Sequence, residues 1–143
     1  MQRTPDRSSG AIQFRWQAIV AKYQNPKLSS SLWQVANTFI PYIVLLYAMY
    51  LSLSVSYWLT LALALPAGGL LTRIFILFHD CGHGSFFKSQ RANHILGIIC
   101  GIFAFTPYYQ WRYEHAVHHA TSGDLDRRGT GDIITLTVAE YLK

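Results

Sequence analysis

Five of the six histidines in this 143-residue chain occur in two short motifs. The motif HDCGH places His79 and His83 four residues apart. On a helix both imidazoles then lie on one face, roughly 5–6 Å apart at Cβ. The motif EHAVHH adds His115, His118 and His119, at spacings of three and four residues. Imidazole-rich sites suit iron, copper and zinc, so the sequence predicts that these five side chains are metal ligands.

The adjacent pair His118 and His119 indicates more than one ion. Neighbouring residues on an α-helix diverge by about 100°, so the two imidazoles serve two ions more easily than one. HDCGH also resembles the HExxH zinc-protease motif, with Asp80 in place of the glutamate. That mechanism needs a general base there and a single metal, and it leaves HxxHH unexplained. The sixth histidine, His94, is interpreted as a hydrogen-bonded residue near a membrane edge.

A long uncharged run must position these motifs. No Asp, Glu, Lys or Arg occurs between Lys27 and Arg73, a gap of 45 residues. A helix rises about 1.5 Å per residue and a bilayer core is about 30 Å thick, so this run suits two crossings. We predict an all-α integral membrane protein with two transmembrane helices as a hairpin, at Leu32–Leu51 and Tyr57–Phe78. The turn between them is expected at Ser52–Ser56.

The charges before the first span predict its orientation. Residues 1–27 contain five basic side chains and one acidic one, a bias typical of the cytoplasmic side. They have no continuous apolar core, so they are not a signal peptide, and we interpret residues 1–30 as a cytoplasmic leader. Two crossings return the chain to the cytoplasm, where both histidine motifs are then expected. The basic residues form no aromatic platform, so no nucleic-acid partner is expected.

A third apolar stretch, Ile95–Trp111, has 17 residues and is interrupted by Pro107. If it crossed the bilayer, the two histidine motifs would lie on opposite faces. We therefore predict a re-entrant or interfacial helical segment that returns to the cytoplasmic leaflet. With no CxxC motif, Cys81 and Cys100 are expected to be small buried apolar residues, and Arg73 to extend toward the cytoplasmic face.

The sequence HDCGHGSFF, followed some thirty residues later by WRYEHAVHH and then TSGDLD, resembles the first two histidine boxes of the membrane fatty acid desaturases. The acyl-lipid branch is the most similar, and the resemblance covers about residues 30–143. It implies a non-haem di-iron centre, with two iron ions held by the five box histidines and O2 as co-substrate. Asp80 and Glu114 flank predicted ligands, where they either orient imidazoles or are simply solvated charges.

The resemblance also implies a reaction and partners. The reaction introduces a double bond into a membrane lipid acyl chain, with electrons from a ferredoxin or cytochrome-type donor. Candidate wall residues of an acyl channel, or else plain membrane anchors, are Phe86, Phe87, Phe103, Phe105, Tyr108 and Tyr109. Basic residues that could dock the electron donor or contact lipid headgroups are Lys88, Arg91, Arg112, Arg127 and Arg128.

One departure from the family pattern is large. Complete members have a third HxxHH box and two more membrane helices, which these 143 residues lack. We therefore expect residues 31–143 to be a partial desaturase domain, inactive by itself. Two alternatives stay open. One is a related di-iron hydroxylase or ketolase acting on lipids or carotenoids, and the other is a non-catalytic membrane protein that binds metal or anchors a complex.

Overall fold

The computed structural model describes residues 19–127 and 136–143, and these residues are helical with connecting turns. A single 3-10 turn at Ala21–Tyr23 precedes five α-helices. The helices are α1 (Leu28–Ser52), α2 (Tyr57–Gly82), α3 (Gln90–Phe103), α4 (Tyr108–Thr121) and α5 (Val138–Tyr141). Residues 1–18 of the predicted leader lie outside the described residues, as does Arg128.

The uncharged run forms α1 and α2, which pack against each other. The turn lies where the serine-rich segment predicted it, and the hydroxyls of Ser52 and Thr60 meet across it at 2.6 Å. Both helices are longer than expected, because α1 begins directly after Lys27 and α2 continues past Phe78 to Gly82. The second helix therefore extends four residues beyond the predicted span, since most of the first histidine motif is itself helical.

Within the described residues, α1 and α2 are the two helices long and apolar enough to cross a membrane. Only 17% and 22% of their most apolar stretches are buried inside the molecule. A helix in the core of a soluble domain buries far more of its apolar surface, so these exposed faces suit a lipid environment. Arg73 of α2 donates a hydrogen bond from Nη2 to Oδ1 of Asn37 in α1, at 2.8 Å.

The third apolar stretch is divided between two helices. It breaks after α3, where Phe105 has a positive φ of 52° and Pro107 is the N-cap of α4. Each helix has 14 residues, about 21 Å of rise, which is shorter than a bilayer core. The chain folds back at this break, as shown by the ring of Tyr108 in α4, which lies so close to Gly97 of α3 that an added Cβ there would clash with it.

The core lies between α2, α3 and the start of α4. Ile74 and Phe78 of α2 are fully buried there, together with Cys81 and Cys100. Both cysteines are free thiols, which confirms their interpretation as small buried residues. In the tail, α5 begins with a capping box between Thr137 and Glu140.

Candidate metal site

Four histidines from the two motifs converge at the end of α2. His79 lies in the last turn of α2 and His83 directly follows the helix, with their Nε2 atoms 3.3 Å apart. On α4, the Nε2 atoms of His115 and His119 are 3.1 Å apart. The two helices meet where Nε2 of His115 lies 3.1 Å from Nε2 of His83. All four candidate ligand nitrogens lie within 4.8 Å of one another.

This spacing fits the donor shell of one transition-metal ion. Metal–imidazole bonds of about 2.0–2.1 Å place neighbouring donor nitrogens of one ion roughly 3 Å apart. Successive Nε2 atoms, from His79 through His83 and His115 to His119, lie 3.1–3.3 Å apart. Two of the four side chains are half-buried and two are exposed, so one side of the cluster faces the protein and the other faces open space. Neutral nitrogen donors of this kind suit iron, copper or zinc.

His118 lies beside this cluster and outside its group of four. Its ring is nearly parallel to that of His115, with centroids 5.8 Å apart, and its centroid lies 5.5 Å from that of His119. Of the five predicted ligands, four therefore converge and the fifth points elsewhere, as expected for adjacent residues on a helix. The sixth histidine, His94, is hydrogen-bonded as predicted, with Nδ1 3.2 Å from the hydroxyl of Tyr108.

The two acidic residues beside the ligands have different partners. Oδ1 of Asp80 lies 3.3 Å from Nδ1 of His79. A carboxylate that accepts from Nδ1–H leaves Nε2 as the free donor atom, which is the atom that faces the cluster. Glu114 accepts a hydrogen bond from Nε2 of Gln110 at 2.6 Å. This hydrogen bond of Glu114 is thus with its own helix, one turn away.

Side chains of α4 hold that helix against the end of α2. The hydroxyl of Tyr108 donates to the carbonyl of Cys81 at 2.9 Å, and Nε of Arg112 donates to the carbonyl of Gly82 at 3.0 Å. The carbonyl of Cys81 also accepts from the backbone N–H of Gly84 at 3.0 Å, so the Tyr108 bond is an additional one, whereas Arg112 serves a carbonyl of the last helical turn. The two side-chain bonds also fix the helix that bears His115 to the helix that bears His79.

Trp111 is a site residue that the sequence analysis missed. Its indole is stacked on the imidazole of His115, with centroids 4.3 Å apart and planes at 17°. It also meets the ring of His79 edge-on at 5.7 Å. A Cβ on Gly82 would lie 2.7 Å from the indole, so the glycine makes room for this ring. Trp111 lies four residues before His115, on the same helical face, and this spacing is the sequence feature that could have identified it.

Two imidazoles of the cluster, those of His83 and His115, are neutral at physiological pH. Partial burial, followed by the neighbouring imidazoles of His79 and His119, lowers the pKa of His115 to about 4. Partial burial and the same two neighbours also lower the pKa of His83. Neutral imidazole is the form that binds a metal, so both side chains are available as ligands at pH 7.

The predicted channel residues lie at several separate places among the described residues. Phe86 is buried, and Phe103 packs edge-on against Phe39 of α1 at 5.3 Å. Phe105 is 91% exposed and lines a cavity of about 450 Å³ at the α3–α4 break. Phe87 lines a separate cleft beside the start of α1. Tyr108 and Tyr109 also line the cavity at the break.

A cavity of about 680 Å³ lies next to the histidine cluster. Its wall includes Tyr109, Arg112 and Tyr113 of α4, together with three of the four clustered histidines. Arg112, a candidate for docking the electron donor or contacting lipid headgroups, is exposed and also donates a hydrogen bond to the carbonyl of Gly82. Lys88, Arg91 and Arg127 are exposed. The cavity leaves room for a substrate beside the candidate metal site.

Comparison with known proteins agrees with the geometry. The family model described as fatty acid desaturase matches residues 56–135, more than half of the chain. A fatty acid desaturase of Bacillus subtilis is 58% identical over 122 residues, covering 85% of this chain and 35% of that protein. An oleoyl-12-hydroxylase of Ricinus communis is 35% identical over 100 residues, covering 70% of this chain and 24% of its own length.

A third relative is the sn-1 acyl-lipid omega-3 desaturase (ferredoxin) of Synechocystis, 42% identical over 59 residues, or 41% of this chain and 16% of that protein. The chain thus spans about a third or less of the length of these curated relatives. No solved structure matches it significantly. The matched residues include both histidine motifs and the helix between them, and the chain belongs to the fatty acid desaturase family.

Proposed function

We propose that this chain supplies the first part of the di-iron site of an O2-dependent membrane fatty acid desaturase. The observation that carries the proposal is the convergence of four Nε2 atoms from two separate motifs within 4.8 Å. His79, His83, His115 and His119 would hold one iron. His118, which diverges from that group, would serve the second iron with ligands from outside the described residues.

The donor set is chemically suited to such a centre. Neutral imidazoles leave bound iron cationic and able to exchange ligands with oxygen species. When bound, the reduced iron pair supplies O2 activation that removes two hydrogens from an acyl chain. Asp80 keeps the His79 ring in the tautomer that directs Nε2 inward, and Trp111 holds the plane of the His115 ring.

The placement in the membrane follows from the same residues. We propose that α1 and α2 form a transmembrane hairpin, with the leader and both histidine motifs cytoplasmic. The short helices α3 and α4 would enter the leaflet and return, so the break at Phe105 lies deepest. This arrangement lets an acyl chain reach the cavity beside the cluster from the bilayer.

The substrate and the electron donor belong to the same proposal. We infer that the substrate is a membrane lipid acyl chain and the donor a ferredoxin or cytochrome-type protein. The Synechocystis relative, whose name includes both acyl-lipid and ferredoxin, supports both inferences. The exposed cations Arg91 and Arg127 are candidates for contact with an acidic donor.

Hydroxylation is the second candidate, because the Ricinus relative is an oleoyl-12-hydroxylase. Both reactions remove hydrogen from an unactivated methylene, and the same histidines serve either. Mass spectrometry of total acyl chains distinguishes them, since desaturation removes two mass units and hydroxylation adds sixteen.

The test has two stages. First, iron content is measured for the reconstituted chain and for the His83→Ala and His115→Ala variants, with His94→Ala as control. We expect bound iron in the parent and the control, and loss of iron in both ligand variants. Second, the whole gene product is expressed in a host that lacks desaturases and the acyl chains are analysed. Unaltered acyl chains under air with reductant, or iron binding indifferent to His83 and His115, would contradict the proposal.

A further inference from the structure

A second cleft lies away from the histidine cluster, where α1 and α3 begin. It has a volume of about 660 Å³. Its lining residues come from the segment before α1, the first turn of α1 and the start of α3. They are Asn25, Pro26, Lys27, Leu28, Ser31, Leu32, Phe87, Lys88, Ser89 and Ala92. The cleft thus lies between two parts of the chain that are about 60 residues apart in sequence.

The cleft combines an apolar wall with two positive charges. Leu28, Leu32 and Phe87 supply much of the apolar surface, while Lys27 and Lys88 supply the charge, and both lysines are exposed. None of its lining residues is acidic. A ligand that matches both features must carry a negative charge next to an apolar portion.

Hydrogen bonds hold the walls of the cleft in place without a ligand. The Ser31 hydroxyl donates to the carbonyl of Phe86 at 2.8 Å, which ties α1 to the segment before α3. The fully buried Asn93 accepts from the backbone N–H of Phe87 at 2.8 Å and donates to the Phe87 carbonyl at 2.9 Å. Ser89 caps α3 by accepting from Ala92. A preformed cleft loses little conformational entropy when it binds a ligand.

The position of the cleft along α1 selects the ligand. Lys27 is the last charged residue before α1, a helix suited to crossing a membrane, and Leu28 and Leu32 lie in its first two turns. Lipid phosphates occupy this level of a bilayer, where lysines next to a span contact them. We propose that the cleft binds the phosphate and glycerol portion of an anionic membrane phospholipid, with Lys27 and Lys88 on the phosphate. The proposal does not rest on iron or on desaturation.

The test uses the full chain in phosphatidylcholine nanodiscs, with spin-labelled phosphatidylglycerol as the probe. The immobilised fraction in the electron paramagnetic resonance spectrum gives the relative association constant. We expect Lys27→Gln and Lys88→Gln each to lower this constant about fivefold, as for a lysine at a charged membrane surface. Ala92→Phe, which fills the cleft without changing the charge, should lower it as well.

Arg91→Gln is the matched control, because Arg91 is exposed on α3 next to the cleft but does not line it. We expect a change of less than about twofold for this variant. An equal loss for Arg91→Gln would indicate diffuse attraction and overturn the proposal. So would displacement of the lipid by millimolar inorganic phosphate, which would indicate a free-anion site. A parent chain that immobilises no phosphatidylglycerol would leave the cleft to some other partner and also refute it.

Unchanged helicity by circular dichroism identifies folded variants. Iron content, measured on the same samples, should be unaffected by the cleft variants. A failure of lipid binding with normal iron content is thereby separated from a failure of the proposed metal site.

Discussion

The indole ring of Trp111 lies nearly parallel to the imidazole of His115, at 17°, with their centroids 4.3 Å apart. The two residues are one helical turn apart on α4, so the stacking is a local consequence of sequence spacing. Across the helix interface, the same indole packs against Phe78 of α2, with centroids 4.7 Å apart. The tryptophan therefore connects a candidate ligand to the buried core.

Replacing Trp111 should weaken metal binding without removing a ligand. We expect Trp111→Leu to lower the affinity for Co²⁺, used as a spectroscopic substitute, by about tenfold, as for other residues that orient ligands. Trp111→Phe should retain most of the affinity because it keeps a flat ring. The measurement is the visible absorption of Co²⁺ during titration. Trp58→Leu, at an exposed position on α2, is the control, and equal losses in both leucine variants would show that the stacking is irrelevant.

Gly82 should tolerate no side chain. An added Cβ would lie 2.7 Å from the Trp111 ring, which is itself confined by Phe78 and His115. We expect Gly82→Ala to destabilise the fold by about 1–3 kcal/mol through overpacking and to weaken Co²⁺ binding. Gly69→Ala is the matched control, because a Cβ added to Gly69 on the same helix would have no neighbouring atom within 4 Å. Detergent-induced unfolding followed by circular dichroism compares the two, and similar curves would contradict the prediction.

Asn93 should be important for stability although it lies outside the metal site. It is fully buried, and its amide makes two hydrogen bonds to the backbone of Phe87. Asn93→Ala leaves both backbone groups without this partner, at a cost of about 2–4 kcal/mol. Asn93→Asp should cost at least as much at pH 7, because a buried carboxylate still accepts from the N–H but places a negative charge against the Phe87 carbonyl. The exposed Gln110→Ala change provides the control in the same unfolding assay, and an equal effect there would exclude a special role for Asn93.

The metal-free chain should lose stability as the pH falls below neutral. Burial holds the pKa of His115 at about 4, whereas in an unfolded chain it is about 6.5. Protons therefore bind the unfolded state first, so this contribution is complete above about pH 6.5 and is lost progressively toward pH 4. Unfolding midpoints measured with a chelator at several pH values test this. His115→Gln should flatten the profile, and an unchanged pH dependence in that variant would refute the assignment.

Several features of the fold follow from sequence patterns alone. The absence of charge between Lys27 and Arg73 gives two long apolar helices, and the serine-rich segment at Ser52–Ser56 gives the turn between them. These predictions succeed because charge and helix length act locally. The convergence of the histidine motifs was also predictable, because a shared metal requires the 95–111 stretch to return to its starting side.

Other features depend on contacts between distant residues, which periodicity does not encode. Pro107 indicates a break in the third apolar stretch, but the sharp return at Phe105 depends on how α4 packs back onto α3. The hydrogen bond from Tyr108 to the carbonyl of Cys81 joins residues 27 positions apart, and helical periodicity does not predict it. The positions of the predicted channel residues likewise depend on tertiary packing, since aromatic character does not fix the direction in which a ring points.

The two side-chain bonds that α4 gives to the carbonyls of Cys81 and Gly82 have a mechanical consequence. Unwinding the final turn of α2 would break both bonds and release α4, so His79 and His115 cannot be displaced independently. Thermal fluctuations of the site are then shared by both helices. A metal held there should dissociate in a single cooperative step rather than by the loss of one ligand after another.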